Sequence, residues 1–438
     1  MHKWPFLGRS QPLEVTGASG SYLLKADGSR ILDAAGGAIV VNIGHGRDQV
    51  AEAVKKAMSD GGYVVPTWLT PERQELVNEL IDHWLPPHLR RIHLTSGGSE
   101  ANEAAIKIAV QYFAAKGQPS KSKIISRSLS YHGTTITTAG VSGHASRKRG
   151  LEAILAEYTN IETPYPLRCP LGQHHPDATD YYINNLKEII DVEGAENIAA
   201  LIAEPLNGSS GGAITPPKEY WPRVSKILKE NDILLIMDEV MTGFGRTGER
   251  FGSELYEVEP DLMVAGKGMA SGYAAIAGCY GTEEIAATIS DSPFEVMFHT
   301  FGALPASCAA ATSVLQILRE ESLLIQCQQR GHELKQRLID QFGHHPNVAE
   351  IRGEGLLLGI EIVKDRESLE RFPESANITS RLVGRSLESG VFFYPGGTGE
   401  SRDILCIGAP FIIGEAEIEL MATALKSALD HCFEAQAY

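Results

Sequence analysis

The strings ILLIMDEV, residues 233–240, and LMVAGKG, residues 262–268, decide the reading of this chain. Ile233 to Met237 is an apolar run that ends in a carboxylate, Asp238. Leu262 to Ala265 is a second run, ending in Gly266, Lys267 and Gly268. Short apolar runs bounded by polar or turn residues read as buried strands of a parallel sheet. In an open α/β sheet, ligands sit at the carboxyl ends of the strands. The two strings therefore deliver one acid and one lysine to the same edge. Read singly, Asp238 could equally cap a turn and Lys267 could be a solvated surface charge, so the neighbouring sequence must decide.

Working outward, strand-like runs alternate with helix-like ones from Leu94 to about Phe301, at KIIS (123), AALIAEP (199), ILLIMDEV (233), LMVAGKG (262) and AIAGCYG (275). That alternation is the mark of a parallel α/β sheet. Upstream, SYLLKADGSRILDAAGG reads as a hairpin turning at Asp27-Gly28. Val50, Val54 and Met58 recur at helical spacing, and Thr70-Pro71 is a helix start. Beyond Pro305 the pattern changes to long amphipathic helices (305–320, 323–342, 415–432) around short strands at LLLGIEIV and DILCIGAP. The expected fold is α/β: a large, mostly parallel domain over 49–310, and a smaller α+β domain built from both chain ends, 1–48 and 311–438. The hairpin belongs to the smaller domain because it needs a partner sheet.

With 438 residues the chain is long enough for two domains sharing a large core. Its 39 basic and 55 acidic residues give a net charge of −16, which argues against nucleic acid or an anionic membrane as partner. Six scattered cysteines without a CxxC pair fit a reducing cytoplasm and carry no metal signal. The fourteen histidines are likewise dispersed without ligand spacing. MHKWPFLGRSQPLEV lacks the apolar core of a signal peptide, and no apolar run is long enough to span a bilayer. The expected setting is cytoplasmic.

A lysine for a covalent link and an acid for a pyridine nitrogen are what pyridoxal 5′-phosphate (PLP) requires of a protein. TSGGSEAN, residues 95–102, runs directly into a helix pattern. Gly98 lets the backbone approach an anion, and Ser99 can cap the helix while presenting its hydroxyl. A helix N-terminus carries about half a unit of positive charge and free N–H groups, which suits a phosphate. Glu100 must then point away. Tyr131-His132-Gly133 follows the strand at 123, where an aromatic can stack on a pyridine ring or simply fill core.

TSGGSEANEAAIKIA, YHG, EP with its glycine-rich sequel, DEVMTGFGRTGERFG, PDLMVAGKG, HTF and IRGEGLLLGIE, in this order, resemble the class III aminotransferases of PLP fold type I over about residues 20–429. The resemblance implies that Lys267 bonds to the cofactor and shuttles a proton, while Asp238 keeps the pyridine nitrogen protonated. It implies that Tyr131 and Val240 flank the ring, that His132 adjoins them, and that Gly98 and Ser99 take the phosphate. It further implies that Thr300 reaches a neighbouring subunit's phosphate, making the protein an obligate homodimer with shared sites, alone or paired into a tetramer.

The chain also departs from that pattern. Branches that use glutamate or 2-oxoglutarate pair a glutamate after EP with an arginine just before a C-terminal proline. Here Ser209 stands in the first place, and Cys406-Ile407-Gly408-Ala409-Pro410 has no arginine. Losing both halves avoids a buried unpaired charge. The expected branch is therefore the pyruvate-using ω-amine one, moving an amino group from a primary amine or ω-amino acid to a small 2-oxo acid. Arg402 is the nearest reader for a carboxylate, and it also reads as a solvated loop arginine. Ala38 and Ile39 make a roomier or more apolar pocket, and Trp68 is a second wall or a core residue. An aminomutase, racemase, decarboxylase or lyase on the same scaffold, or a catalytically dead binding module, remains open at this stage.

Overall fold

The computed structural model describes residues 13–433. Most of the N-terminal stretch read for a targeting signal, and the chain-terminal ends of the segments 1–48 and 311–438, lie outside the described residues.

The opening segment forms β1 (Gly17–Ser19), β2 (Tyr22–Leu24) and β3 (Arg30–Asp33), joined antiparallel in that order. The turn between β2 and β3 is closed by Asp27, whose carboxylate accepts the Ser29 amide at 2.9 Å. Gly28 supplies the left-handed φ of +81° that the turn needs.

The central sheet contains β4 (Arg91–Thr95), β5 (Lys123–Arg127), β6 (Asn160–Ile161), β7 (Ile198–Ala203), β8 (Leu234–Asp238), β9 (Leu262–Ala265) and β10 (Ala277–Gly281), in the spatial order β4-β10-β9-β8-β7-β5-β6. Residues of β7, β8 and β9 are buried on both faces, as their unbroken apolar runs require. On one face Ile236 and Val264 meet Ala101, Ala105 and Ala109 of the helix Gly98–Ala115. On the other, Leu235 and Met237 meet Leu186 of Ala178–Glu193 and Trp221 and Val224 of Tyr220–Glu230.

One strand departs from the expected direction. β10, read above with the parallel set, runs antiparallel to both β9 and β4. Only residues 266–276 separate it from β9, and within them the helical structure is a single turn, Lys267–Met269. A parallel return needs a crossover of a dozen or more residues. β4 and β6, which are short and partly polar, were not among the expected strands.

After the helices Pro305–Glu320 and Leu323–Phe342 come β11 (Val348–Glu354), β12 (Leu357–Ile362), β13 (Val391–Phe392), β14 (Tyr394–Thr398) and β15 (Ser401–Ile407), then the helix Glu415–Phe433. The sheet β11-β12-β15-β14 is antiparallel throughout. β13 instead pairs in parallel with β3, so the first sheet draws on both ends of the chain. Arg246, fully buried, ties these parts together. Its guanidinium donates to the carbonyls of Ala409 at 2.6 Å and Val41 at 3.1 Å, and to Asn42 Oδ1 at 2.6 Å. Among the described residues no helix is long and apolar enough to cross a membrane.

Candidate active site

Asp238 is the last residue of β8, and Lys267 lies two residues past the end of the adjacent β9. Parallel pairing thus places both at one sheet edge. A cavity of about 150 Å³ opens there, lined by Gly98, Ser99, Asn102, Tyr131, His132, Gly133, Glu204, Asp238, Val240, Met241, Thr242 and Lys267. A larger cavity of about 630 Å³ lies among Ile92, Cys279, Ile285 and Val296. It contains neither the lysine nor the acid, so its size does not bear on the chemistry.

Asp238 is almost fully buried. Its Oδ2 accepts Asn102 Nδ2 at 2.8 Å and faces His132 Nδ1 at 2.8 Å, while its Oδ1 accepts the Val240 amide at 3.0 Å. An ionised carboxylate has about four acceptor positions, so three donors leave one free. Asn102 is held in turn by donating to the His132 carbonyl at 2.8 Å. His132 Nε2 and Asn102 Oδ1 are buried without a hydrogen-bond partner.

Lys267 adopts a left-handed φ of +41°, an uncommon conformation for a residue with a Cβ and one that clusters at functional sites. The side chain retains a narrow opening to the cleft, yet protein surrounds it closely. Burial pulls its pKa down to about 8, against the opposing influence of Asp238 and Glu204. An amine so shifted is more readily freed of its proton than an ordinary lysine.

The anion end is built by the helix Gly98–Ala115, whose N-cap, Gly97, makes no side-chain capping bond. The first-turn N–H groups are therefore open to an anion. Ser99, one residue into the helix and not its cap, accepts the Thr134 amide at 3.1 Å. Close approach explains two glycines. A Cβ on Gly98 would lie 2.9 Å from Val240 Cγ1, and one on Gly133 would lie 2.5 Å from Ser99 Oγ. Glu100 turns away, as the phosphate reading requires, and accepts the Ser96 amide at 2.9 Å.

PLP fits these residues. The acid keeps one acceptor position for a pyridinium N–H, the depressed lysine opens the turn after the neighbouring strand, and an uncapped helix start faces the same cavity.

The structure brings Gly98, Ser99, Tyr131, His132, Asp238, Val240 and Lys267 to the cleft. It does not bring Ile39, Trp68, Thr300 or Arg402 there. Ile39 is 1% exposed, with Leu206, Ala213, Leu357, Ile404 and Cys406, because left-handed turns at Gly36 and Gly37 swing it inward. Trp68 is 68% exposed, which also excludes the core reading, and Thr300 is exposed. Arg402 donates to the Phe372 carbonyl at 2.8 Å and to the Gly399 carbonyl at 3.3 Å, so its guanidinium is engaged by backbone.

Roles for Asn102, Glu204, Met241 and Thr242 were missed. Asn102 was findable, since it lies four residues after Gly98 and so on the same helix face. Glu204 was too, since it follows β7 as Asp238 ends β8. Glu204 accepts the Gly208 amide at 2.8 Å, and burial raises its pKa to about 7. Met241 and Thr242 gave no signal beyond following Val240.

A family model for class-III aminotransferases matches residues 8–429. The chain is 33% identical to a putrescine–pyruvate aminotransferase of Pseudomonas aeruginosa, over 95% of this chain and 90% of that one. It is also 33% identical to a taurine–pyruvate aminotransferase of Rhodobacter capsulatus, over 98% and 95% of the two chains. Among solved structures, an (S)-enantioselective omega-transaminase from Thermomicrobium roseum superposes with a TM-score of 0.92 at 34% identity, covering 99% of this chain and 96% of that one. A PLP-bound amine transaminase from an uncultivated Pseudomonas species gives 0.92 at 31% identity, covering 98% of each.

Proposed function

The chain belongs to the class-III aminotransferases, and on that premise we propose that it transfers an amino group from a primary amine or ω-amino acid to a small 2-oxo acid, with pyruvate as the acceptor. It is a PLP enzyme of the α/β fold type I. When bound, PLP supplies the electron sink that stabilises negative charge at the substrate carbon. In our reading the chain's own residues do the rest. Lys267 anchors the cofactor and moves the proton, Asp238 keeps the ring nitrogen protonated, and Gly98 and Ser99 hold the phosphate. Tyr131 and Val240 face the ring, and His132 orients Asp238.

The observation that carries the acceptor reading is the coupled loss of a charge pair. Ser209 is buried with its carbonyl accepting the Gly397 amide at 2.7 Å, and Cys406 is wholly buried in β15. No acid at the one and no arginine at the other leaves nothing to gate a second carboxylate. Two relatives that carry pyruvate in their names agree with this.

The assembly we propose is an obligate homodimer, alone or doubled into a tetramer, with Thr300 serving the partner's site. Trp68, Leu69, Met297 and Phe301 are each at least 60% exposed. Arg73 fastens this region together by donating to the carbonyls of Val65 at 2.8 Å and Ala303 at 2.7 Å. An apolar face of this kind is expected to be covered. We read 49–310 as the cofactor domain and 1–48 with 311–438 as the small domain. Six free, buried cysteines favour a reducing cytoplasm.

The test is to mix the purified enzyme with a panel of amines and follow the absorbance of its bound cofactor. Pyruvate and 2-oxoglutarate are then compared for their ability to restore the original spectrum. Pyruvate should restore it at the lower concentration, and the opposite order would refute the acceptor assignment.

A further inference from the structure

The transfer reading requires a cation for the carboxylate of the oxo acid, and Arg402, the cation expected from sequence, is held by two carbonyls. A different arginine meets the need. Arg147 lies in the short helix Ala145–Lys148, with its guanidinium carbon 4.5 Å from the centroid of the Tyr131 ring, and Tyr131 lines the Lys267 cleft. The helix is fastened in two places. The Ser146 amide donates to Thr398 Oγ1 at 3.1 Å, and Lys148 Nζ donates to the Gly140 carbonyl at 2.7 Å.

Other arginines are already paired with acids: Arg149 with Glu374, Arg168 with Glu361, Arg371 with Glu400. Among the described residues no carboxylate pairs with Arg147, and its side chain is exposed. A guanidinium with no carboxylate partner, held by the ring and hydroxyl of a tyrosine that lines the cleft, keeps donors for an anion that matches its planar fork. Its charge also reaches the catalytic lysine. Burial is the main cause of Lys267's lowered pKa, and Arg147 acts in the same direction.

Resting on the aminotransferase reading, we propose that Arg147 is the specificity residue that binds the carboxylate of the 2-oxo acid, with the Tyr131 ring as its resting place when no anion is present.

The experiment compares pyruvate with propanal, an acceptor of similar size without a carboxylate, in the wild-type holoenzyme and in Arg147→Gln and Arg147→Lys. The kcat/KM ratio of pyruvate to propanal should fall roughly ten- to a hundredfold in Arg147→Gln, the scale of one charge-assisted contact. Arg147→Lys should fall less. Calorimetry with propionate, which has the carboxylate but no carbonyl to react, should show a parallel loss of affinity. An unchanged ratio, or unchanged propionate binding, would overturn the assignment. The wild-type spectrum separates the two levels of the argument. If no amine converts the bound cofactor, the transfer reading itself fails; if conversion is normal and the ratio does not move, only Arg147 is misassigned.

Discussion

Asp238 Oδ2 and His132 Nδ1 lie 2.8 Å apart with both side chains buried. The contact decides how the carboxylate points. With His132 and Asn102 on Oδ2 and the Val240 amide on Oδ1, the acid cannot rotate without breaking three bonds. What remains is one acceptor position on Oδ1 of a residue that lines the cavity.

Asp238→Asn should therefore still bind PLP but lose roughly a hundredfold or more in rate, because an amide does not hold a ring nitrogen protonated. His132→Leu should be milder and of a different kind. It removes one charge-assisted contact, so cofactor affinity should drop about ten- to a hundredfold while saturating PLP restores most of the rate. Equilibrium dialysis and stopped-flow absorbance separate the two effects. A loss of only a few-fold in Asp238→Asn would show that the acid has been misplaced.

Lys267 gives a pH signature in the cofactor-free protein. Its folded pKa is about 8 and its ordinary value is 10.5. Below about pH 8 the lysine is charged in both states, and the fold bears the full penalty of burying that charge. Between 8 and 10.5 the unfolded chain keeps the proton that the fold releases, so this group's contribution to stability rises with pH. Lys267→Met should be the more stable apoprotein at pH 7, by a margin on the order of a few kcal/mol that shrinks towards pH 10.5. Paired urea melts across that range provide the measurement. A margin independent of pH would mean that burial does not depress the amine. Lys267→Ala should fold and show no turnover.

Thr300 tests the shared site. Thr300→Ala should weaken PLP retention by about 1.5–3 kcal/mol, the scale of one hydrogen bond to a charged group. Mixing inactive Lys267→Ala chains with Thr300→Val chains, at a PLP concentration too low to load the Thr300→Val homodimer, should raise activity, because one site of each heterodimer then draws its lysine and its threonine from unmodified positions. Native mass spectrometry first establishes that subunits exchange. Exchange without recovered activity would place Thr300 in its own chain's site.

The parts of this molecule legible in sequence were those set by local pattern. The helices at 305 and 323 end where their apolar periodicity ends, and Asp238 and Lys267 are placed by the termini of two apolar strands. Strand direction at β10 was not written in its own residues, since Ala277–Gly281 would suit either direction. The short connection settles it, and that is a property of chain length. Ile39 and Arg402 lie away from the cleft for a related reason. Their types suited a pocket, but the left-handed turns at Gly36 and Gly37, and the carbonyls of Phe372 and Gly399, are tertiary facts. Arg147 went unnoticed because an arginine in SRKRG looks like any solvated charge until the ring of Tyr131 is set beneath it.

Arg402 supplies the last prediction, and it runs against its type. An arginine close to a cleft invites the role of anion reader, yet its Nη1 and Nη2 each hold a backbone carbonyl and its Nε lies 4.0 Å from the buried Asp403. Burial raises the Asp403 pKa, and the Arg402 charge opposes that rise. Arg402→Ala would strip the carbonyls of Phe372 and Gly399 of their donor and leave the acid with only the weaker influence of Arg371. The cost should appear in stability, at about 1–3 kcal/mol for the polar groups left unpaired. The pyruvate KM should change by less than about threefold, since removing an arginine already committed to the backbone forfeits little anion binding. Thermal melts and steady-state kinetics on the same preparation decide the matter. A variant with an unaltered Tm and a KM raised tenfold would return Arg402 to the substrate and release Arg147 from it.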